Sequence, residues 1–108
     1  MSELVKIIGS ESEFESVTKS GVVLVDFFAT WCGPCRQQSV ILEQLASTIG
    51  NDVTIIKVDT ESCQSLAITF GIERIPTLIL LKDGIIVTQF TGVQQAATLK
   101  NAIESAAS

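Results

Sequence analysis

The segment Trp31-Cys32-Gly33-Pro34-Cys35 sets two thiols two residues apart. Such a pair can ligate a metal, close a structural disulfide, or cycle between dithiol and disulfide. Two charged residues belong to the same question. Asp26, five residues before Trp31, and Lys57, in Val-Thr-Ile-Ile-Lys-Val, each interrupt an apolar run. A lone charge at either place is costly to bury. Opposite charges on neighbouring strands suggest a semi-buried pair, direct or bridged by water, and the plainest reading is mutual neutralisation. A second reading is chemical. Desolvation raises the pKa of Asp26 toward neutrality while Lys57 opposes the rise, and an acid so tuned can carry the proton of Cys35.

Composition narrows the choices. The chain has 108 residues, 46% of them apolar, which suits one domain (1–108) with one core. It has no histidine and three cysteines. Metal binding is disfavoured because an ordinary zinc site needs four ligands and only Cys63 supplements the pair. The lack of histidine also removes Ser-His and Cys-His catalysis, so proton transfer falls to a carboxylate, a lysine, a thiol or water. A net charge of −5 argues against nucleic acid or an anionic membrane as partner. No apolar run approaches the roughly 20 residues of a membrane span, and the first residues carry no basic-then-apolar signal. The expectation is a cytoplasmic protein, in which reducing conditions would open a purely structural disulfide.

The elements that must position these residues can be read from periodicity. Leu4 to Ile8 is a strand candidate, and Ser10-Glu11-Ser12-Glu13 fits a capping box opening a helix with Phe14 and Val17 on its inner side. Val22 to Ala29 is apolar on both faces, as a central strand requires. From Pro34 to Ile49, Ile41, Leu42, Leu45 and Ile49 recur at helical spacing. Val53 to Val58 is a second buried strand; Leu66, Ala67 and Phe70 mark a short helix closed by Gly71. Thr77 to Leu81, Lys82-Asp83-Gly84 and Ile85 to Phe90 read as a hairpin, and Ala96 to Ala106 as a last helix. The order β-α-β-α-β-α-β-β-α is an α/β fold. It predicts a central mixed five-stranded sheet, with a parallel βαβ part, an antiparallel hairpin and helices on both faces.

This arrangement places the cysteines between a buried strand and the first helical turn. Pro34 is pre-set for that turn and lacks an N–H the turn could not use. Cys32 then lies just before the helix, where free N–H groups and the positive end of the dipole favour a thiolate, so its pKa should fall by roughly 1 unit or more. Cys35, one turn in, is shielded and keeps its proton longer. One thiol attacks and the other resolves, an asymmetry that a metal site does not require.

The stretches VDFFATWCGPCR, Lys57-Val58-Asp59 and GIERIPTLILLKDG, with Gly92, resemble the thioredoxin family over essentially the whole chain. The resemblance implies a protein-disulfide reductase of thioredoxin fold with no bound cofactor, in which Cys32 attacks a target disulfide and Cys35 resolves it. Asp26 would serve in proton transfer beside Lys57, and Trp31 would help cover the site. Trp31, Gly33, Pro34, Ile75, Pro76, Gly92 and Val93 would border the substrate groove. By residue type alone the Ile75–Pro76 bond reads as trans, since only about 5–6% of such bonds are cis; in thioredoxins the matching proline is cis. The implied partners are disulfide-containing proteins and an NADPH-dependent flavoprotein reductase, with the chain a monomer.

Two positions depart from the family pattern. Val40 stands where a helix-kinking proline is usual, within an unusually polar Arg-Gln-Gln-Ser-Val, and Phe28 stands where many members have Trp. Cys63 precedes Leu66 and Ala67 by three and four residues, which points it inward as a small apolar residue; a regulatory thiol is the other reading. Two function classes compete: a thiol-disulfide oxidoreductase, and a binding module whose cysteines are incidental. A tuned acid favours the first, and the absence of histidine between the cysteines favours the reducing direction.

Overall fold

The computed structural model describes residues 4–107; residues 1–3 and 108 of the expected domain lie outside it. The elements follow the predicted order: β1 Val5–Ile8, α1 Glu11–Thr18, β2 Val22–Phe28, α2 Gly33–Ala46, β3 Val53–Asp59, α3 Gln64–Thr69, β4 Thr77–Lys82, β5 Ile85–Thr91 and α4 Ala96–Ala107. The sheet runs β1-β3-β2-β4-β5. β1, β3 and β2 are parallel, while β4 pairs antiparallel with both β2 and β5. Every residue of β2 is buried, as its two-sided apolar sequence requires.

Side-chain alternation divides the core into two layers. Val22 and Leu24 of β2 pack with Ile55, Leu78, Leu80 and the inner faces of α2 and α4, including Leu42, Leu45, Leu99 and Ile103. Val23, Val25 and Phe27 face the other way, toward Phe14 of α1, Leu66 of α3, Ile56 and Ile79. Burial of each such large side chain stabilises the fold by about 1.5–3 kcal/mol. By the same period of two, Asp26 continues the row of Val22 and Leu24, and Lys57 the row of Ile55. Both charged residues therefore belong to the α2 side of the sheet.

Element ends show where local chemistry decides. α2 closes at Ala46, short of the expected Ile49, because the hydroxyls of Ser47 and Thr48 donate back to the carbonyls of Gln44 and Leu45. The hairpin turn needs only two residues, Asp83 and Gly84, both with positive φ, so Lys82 belongs to β4. The start of α1 is a variant of the expected box: Ser10 Oγ accepts from Glu13 N, but Glu13 Oε1 accepts from Gly9 N rather than from Ser10. α2 continues through Val40, which is exposed.

Candidate active site

β2 ends at Phe28, and its chain is anchored there by Thr60, whose N–H and hydroxyl both donate to the Phe28 carbonyl. The next residues turn into α2. Cys32 N–H donates to Ala29 O, and the Arg36 guanidinium donates to Thr30 O at 3.2 Å, bracing the loop from the helix side. Cys32 is the N-cap of α2 in extended backbone, with Gly33 and Pro34 forming the first exposed helical positions. Its Sγ accepts a hydrogen bond from Cys35 N at 3.2 Å. This is the sulfur position expected from the spacing, with an otherwise unused N–H aimed at it.

Cys32 and Cys35 are joined by a disulfide. Both are buried, at 5% and 2% exposure, so access differs little between them. What distinguishes them is the N–H on the Cys32 sulfur. They form a small cluster with Phe28 and Ala29, and half-buried Ile75 packs against it. The Ile75–Pro76 bond is cis, as the resemblance implied and residue type alone did not. Pro76 O accepts from Gly92 N at 2.8 Å, which joins the proline to the loop after β5, where half-buried Val93 follows. Trp31 is 66% exposed rather than folded over the disulfide, and its Nε1 donates to Glu61 Oε2 at 3.1 Å.

Asp26 is fully buried, and neither carboxylate oxygen has a hydrogen-bond partner among the described residues. Burial pushes its pKa up to about 7, against the opposing charge of Lys57. The two residues are register partners across β2 and β3, yet no ion pair joins them among the described residues. The Lys57 ammonium instead donates to Ser39 Oγ at 2.7 Å and lies 4.4 Å from the centre of the Phe28 ring. The cation is thus solvated by a hydroxyl and an aromatic face, and acts on Asp26 only at longer range.

Sequence reasoning passed over Ser39 and Gln38. Gln38 is fully buried and bonds both ways with the backbone of Gln94. The signal was present: Cys35, Gln38, Leu42 and Leu45 share one helical face, so a polar residue in that row had to find buried partners. Among the described residues no three metal-ligating side chains come together. Cys63 is buried at the N-cap of α3, its thiol directed to Ile8 O at 3.9 Å. Burial pushes that thiol up, and Asp59, Glu11 and Glu13 add to the rise.

The geometry is matched in known proteins. The Thioredoxin family model matches residues 5–105. The chain is 48% identical to a thioredoxin of Chlamydia pneumoniae over 100 residues, covering 93% of this chain and 96% of that protein. It is 37% identical to a thioredoxin of Bacillus subtilis over 94 residues, covering 87% and 90%. Among solved structures, a point-mutant thioredoxin from Halobacterium salinarum superposes with a TM-score of 0.88 at 36% identity, covering 96% of this chain and 91% of that one. The Malassezia sympodialis thioredoxin gives 0.87 at 33% identity with the same coverage. With its cysteine pair at the start of α2, closed as a disulfide, the chain belongs to the thioredoxin family and is a thiol-disulfide oxidoreductase.

Proposed function

We propose that this oxidoreductase works as a reductase of disulfides in proteins, with each site residue in a distinct role. In the dithiol form the Cys32 thiolate attacks one sulfur of the target disulfide. A mixed disulfide forms, and the other target sulfur leaves as a thiolate. Cys35 then attacks Cys32 Sγ, closing the Cys32–Cys35 disulfide and releasing the second target thiol. Two electrons pass to the target. Asp26, held near neutrality by burial, takes the Cys35 proton, and Lys57 limits how far its pKa rises. Trp31, Gly33, Pro34, Ile75, Pro76, Gly92 and Val93 border the groove for an extended substrate backbone.

The observation that carries this reading is the Cys35 N–H donated to the Cys32 sulfur at 3.2 Å. It stabilises charge on one sulfur of the pair only, as attack and resolution by different thiols require. By family likeness the spent disulfide is reduced by an NADPH-dependent flavoprotein. The chain acts as a monomeric single domain without a bound cofactor, in the cytoplasm, where a reducing pool keeps Cys63 free.

Insulin reduction with dithiothreitol tests the reading. The wild-type chain should accelerate precipitation, while Cys32→Ser and Cys35→Ser should not. Cys35→Ser should also accumulate mixed disulfides through Cys32 that dithiothreitol releases. No acceleration and no trapped species would leave a binding module instead.

A further inference from the structure

Gln38 lies one turn beyond Cys35 in the row of α2 that faces the core, and it is fully buried. Its amide is satisfied at both ends by one residue 56 positions away. Nε2 donates to Gln94 O at 3.0 Å, and Oε1 accepts from Gln94 N at 2.6 Å. A side-chain amide paired in this way copies the double N–H···O exchange between antiparallel strands. It grips main chain alone, so it fixes where the loop runs whatever side chains the loop carries.

The bonds continue from there. Gln94 Nε2 donates to Thr91 O at 3.4 Å and to Gly92 O at 3.2 Å, and Gly92 N donates to Pro76 O at 2.8 Å. One connected path thus runs from the helix that carries both cysteines, through residues 91–94, to the proline whose neighbour Ile75 packs on the disulfide. An apolar residue at position 38 would fill the space but leave the half-buried N–H and C=O of Gln94 without their protein partners.

We propose that Gln38 is a positioning residue for polypeptide substrates: it holds the Gly92–Gln94 loop at the height, relative to the Cys32–Cys35 pair, at which an extended chain docks. Gln38 touches neither sulfur nor substrate. The inference rests on the reading of Ile75, Pro76, Gly92 and Val93 as the substrate groove. A loop freed from its clamp must be ordered again on each binding event, which weakens affinity without altering the thiols. The loss therefore falls on substrates that use the groove and spares small disulfides that need only the sulfurs.

Gln38→Met keeps length and packing and removes both bonds. With insulin, kcat/KM should fall about tenfold, mainly through a higher KM. With hydroxyethyl disulfide the rate should stay within about twofold of wild type. Hydrogen exchange at Gln94 N–H should accelerate while β2 amides stay protected. Gln38→Glu, which keeps the acceptor for Gln94 N–H and loses the donor, gives a second variant, with the insulin loss again exceeding that for the small disulfide. Equal losses on both substrates, or none on insulin, would overturn the inference. Val93→Asp separates this from the groove reading. If it slows insulin reduction and Gln38→Met does not, only the role of Gln38 fails. If neither slows it, the groove reading fails and takes the inference with it.

Discussion

Cys32 and Cys63 occupy the same kind of place. Each is the N-cap of a helix, and each is buried to nearly the same degree, at 5% and 6% exposure. Position and burial therefore cannot explain why one belongs to a redox pair and the other is a free thiol. The difference lies in what faces the sulfur. Cys32, in extended backbone, points Sγ at Cys35 N–H and heads a helix of 14 residues. Cys63 heads one of six, receives no capping N–H on its sulfur among the described residues, and points the thiol at a carbonyl. Asp59, Glu11 and Glu13 then oppose any negative charge there.

The carboxylates divide in the same way. Glu13, beside Cys63, is held below its ordinary pKa by the Gly9 N–H and Lys6, so it stays charged. Asp26, on the α2 side of the sheet, is raised to about 7 by burial and can be neutral when the cysteines must carry charge. An N-cap cysteine becomes reactive when N–H groups meet its sulfur and charged acids do not.

The largest expected contrast is in alkylation. With fully reduced protein near pH 7 and limiting iodoacetamide, Cys32 should label about tenfold faster than Cys63 or more, because the N–H on its sulfur lowers its pKa by roughly 1 unit while burial and the nearby acids raise that of Cys63. Cys35 should follow Cys32. Peptide mapping of the alkylated chain reads the order, and comparable labelling of Cys63 would erase the contrast.

Next in size is the removal of the buried acid. The unfolded chain releases the Asp26 proton near 3.8 and the folded chain only near 7. Between those values the folded state holds the extra proton, so stability falls as pH rises, and the loss is complete above about pH 7. Asp26→Asn should therefore be more stable than wild type near pH 8, by up to about 4 kcal/mol, and show no gain below about pH 4. If Asp26 is the proton acceptor proposed above, release of trapped mixed disulfide should also slow in this variant. Urea melts at the two pH values, beside single-turnover resolution rates, decide the matter; a destabilised and fully active variant would make Asp26 structural.

The smallest effect sharpens the comparison from the other side. Glu11→Gln removes one of three charges that act on Cys63 while keeping an acceptor for Ser65 Oγ. Cys63 labelling should rise about twofold at low salt, and the gain should fade as salt screens the exposed carboxylates. An unchanged rate would mean that the Glu11 charge plays no part in silencing the thiol.

Much of this was legible before any coordinates. The two-sided apolar strand around Asp26, the turn chemistry of Asp83-Gly84 and the helix start at Pro34 each follow from local rules, and together they placed Cys32 under an N–H. The cis bond before Pro76 carried no local mark, because residue type favours trans and packing decides. The partner of Lys57 was hidden for another reason. Strand register predicts that it faces Asp26, but its long side chain reaches Ser39 on α2, a contact that depends on how a helix crosses the sheet. Gln38 was legible in principle, since its row on α2 is otherwise buried. Which backbone it would grip, 56 residues away, was not.

The place of Trp31 also sets what light can report. The chain has one tryptophan and no tyrosine. That one indole stands next to Cys32 in sequence, largely in water, tethered at Nε1 to Glu61. All tryptophan emission from the protein therefore originates beside the sulfurs, with no second indole in the core to dilute it. A change in that emission on reduction is a signal from the disulfide's own neighbourhood, which makes the unlabelled chain an optical gauge of its own redox state.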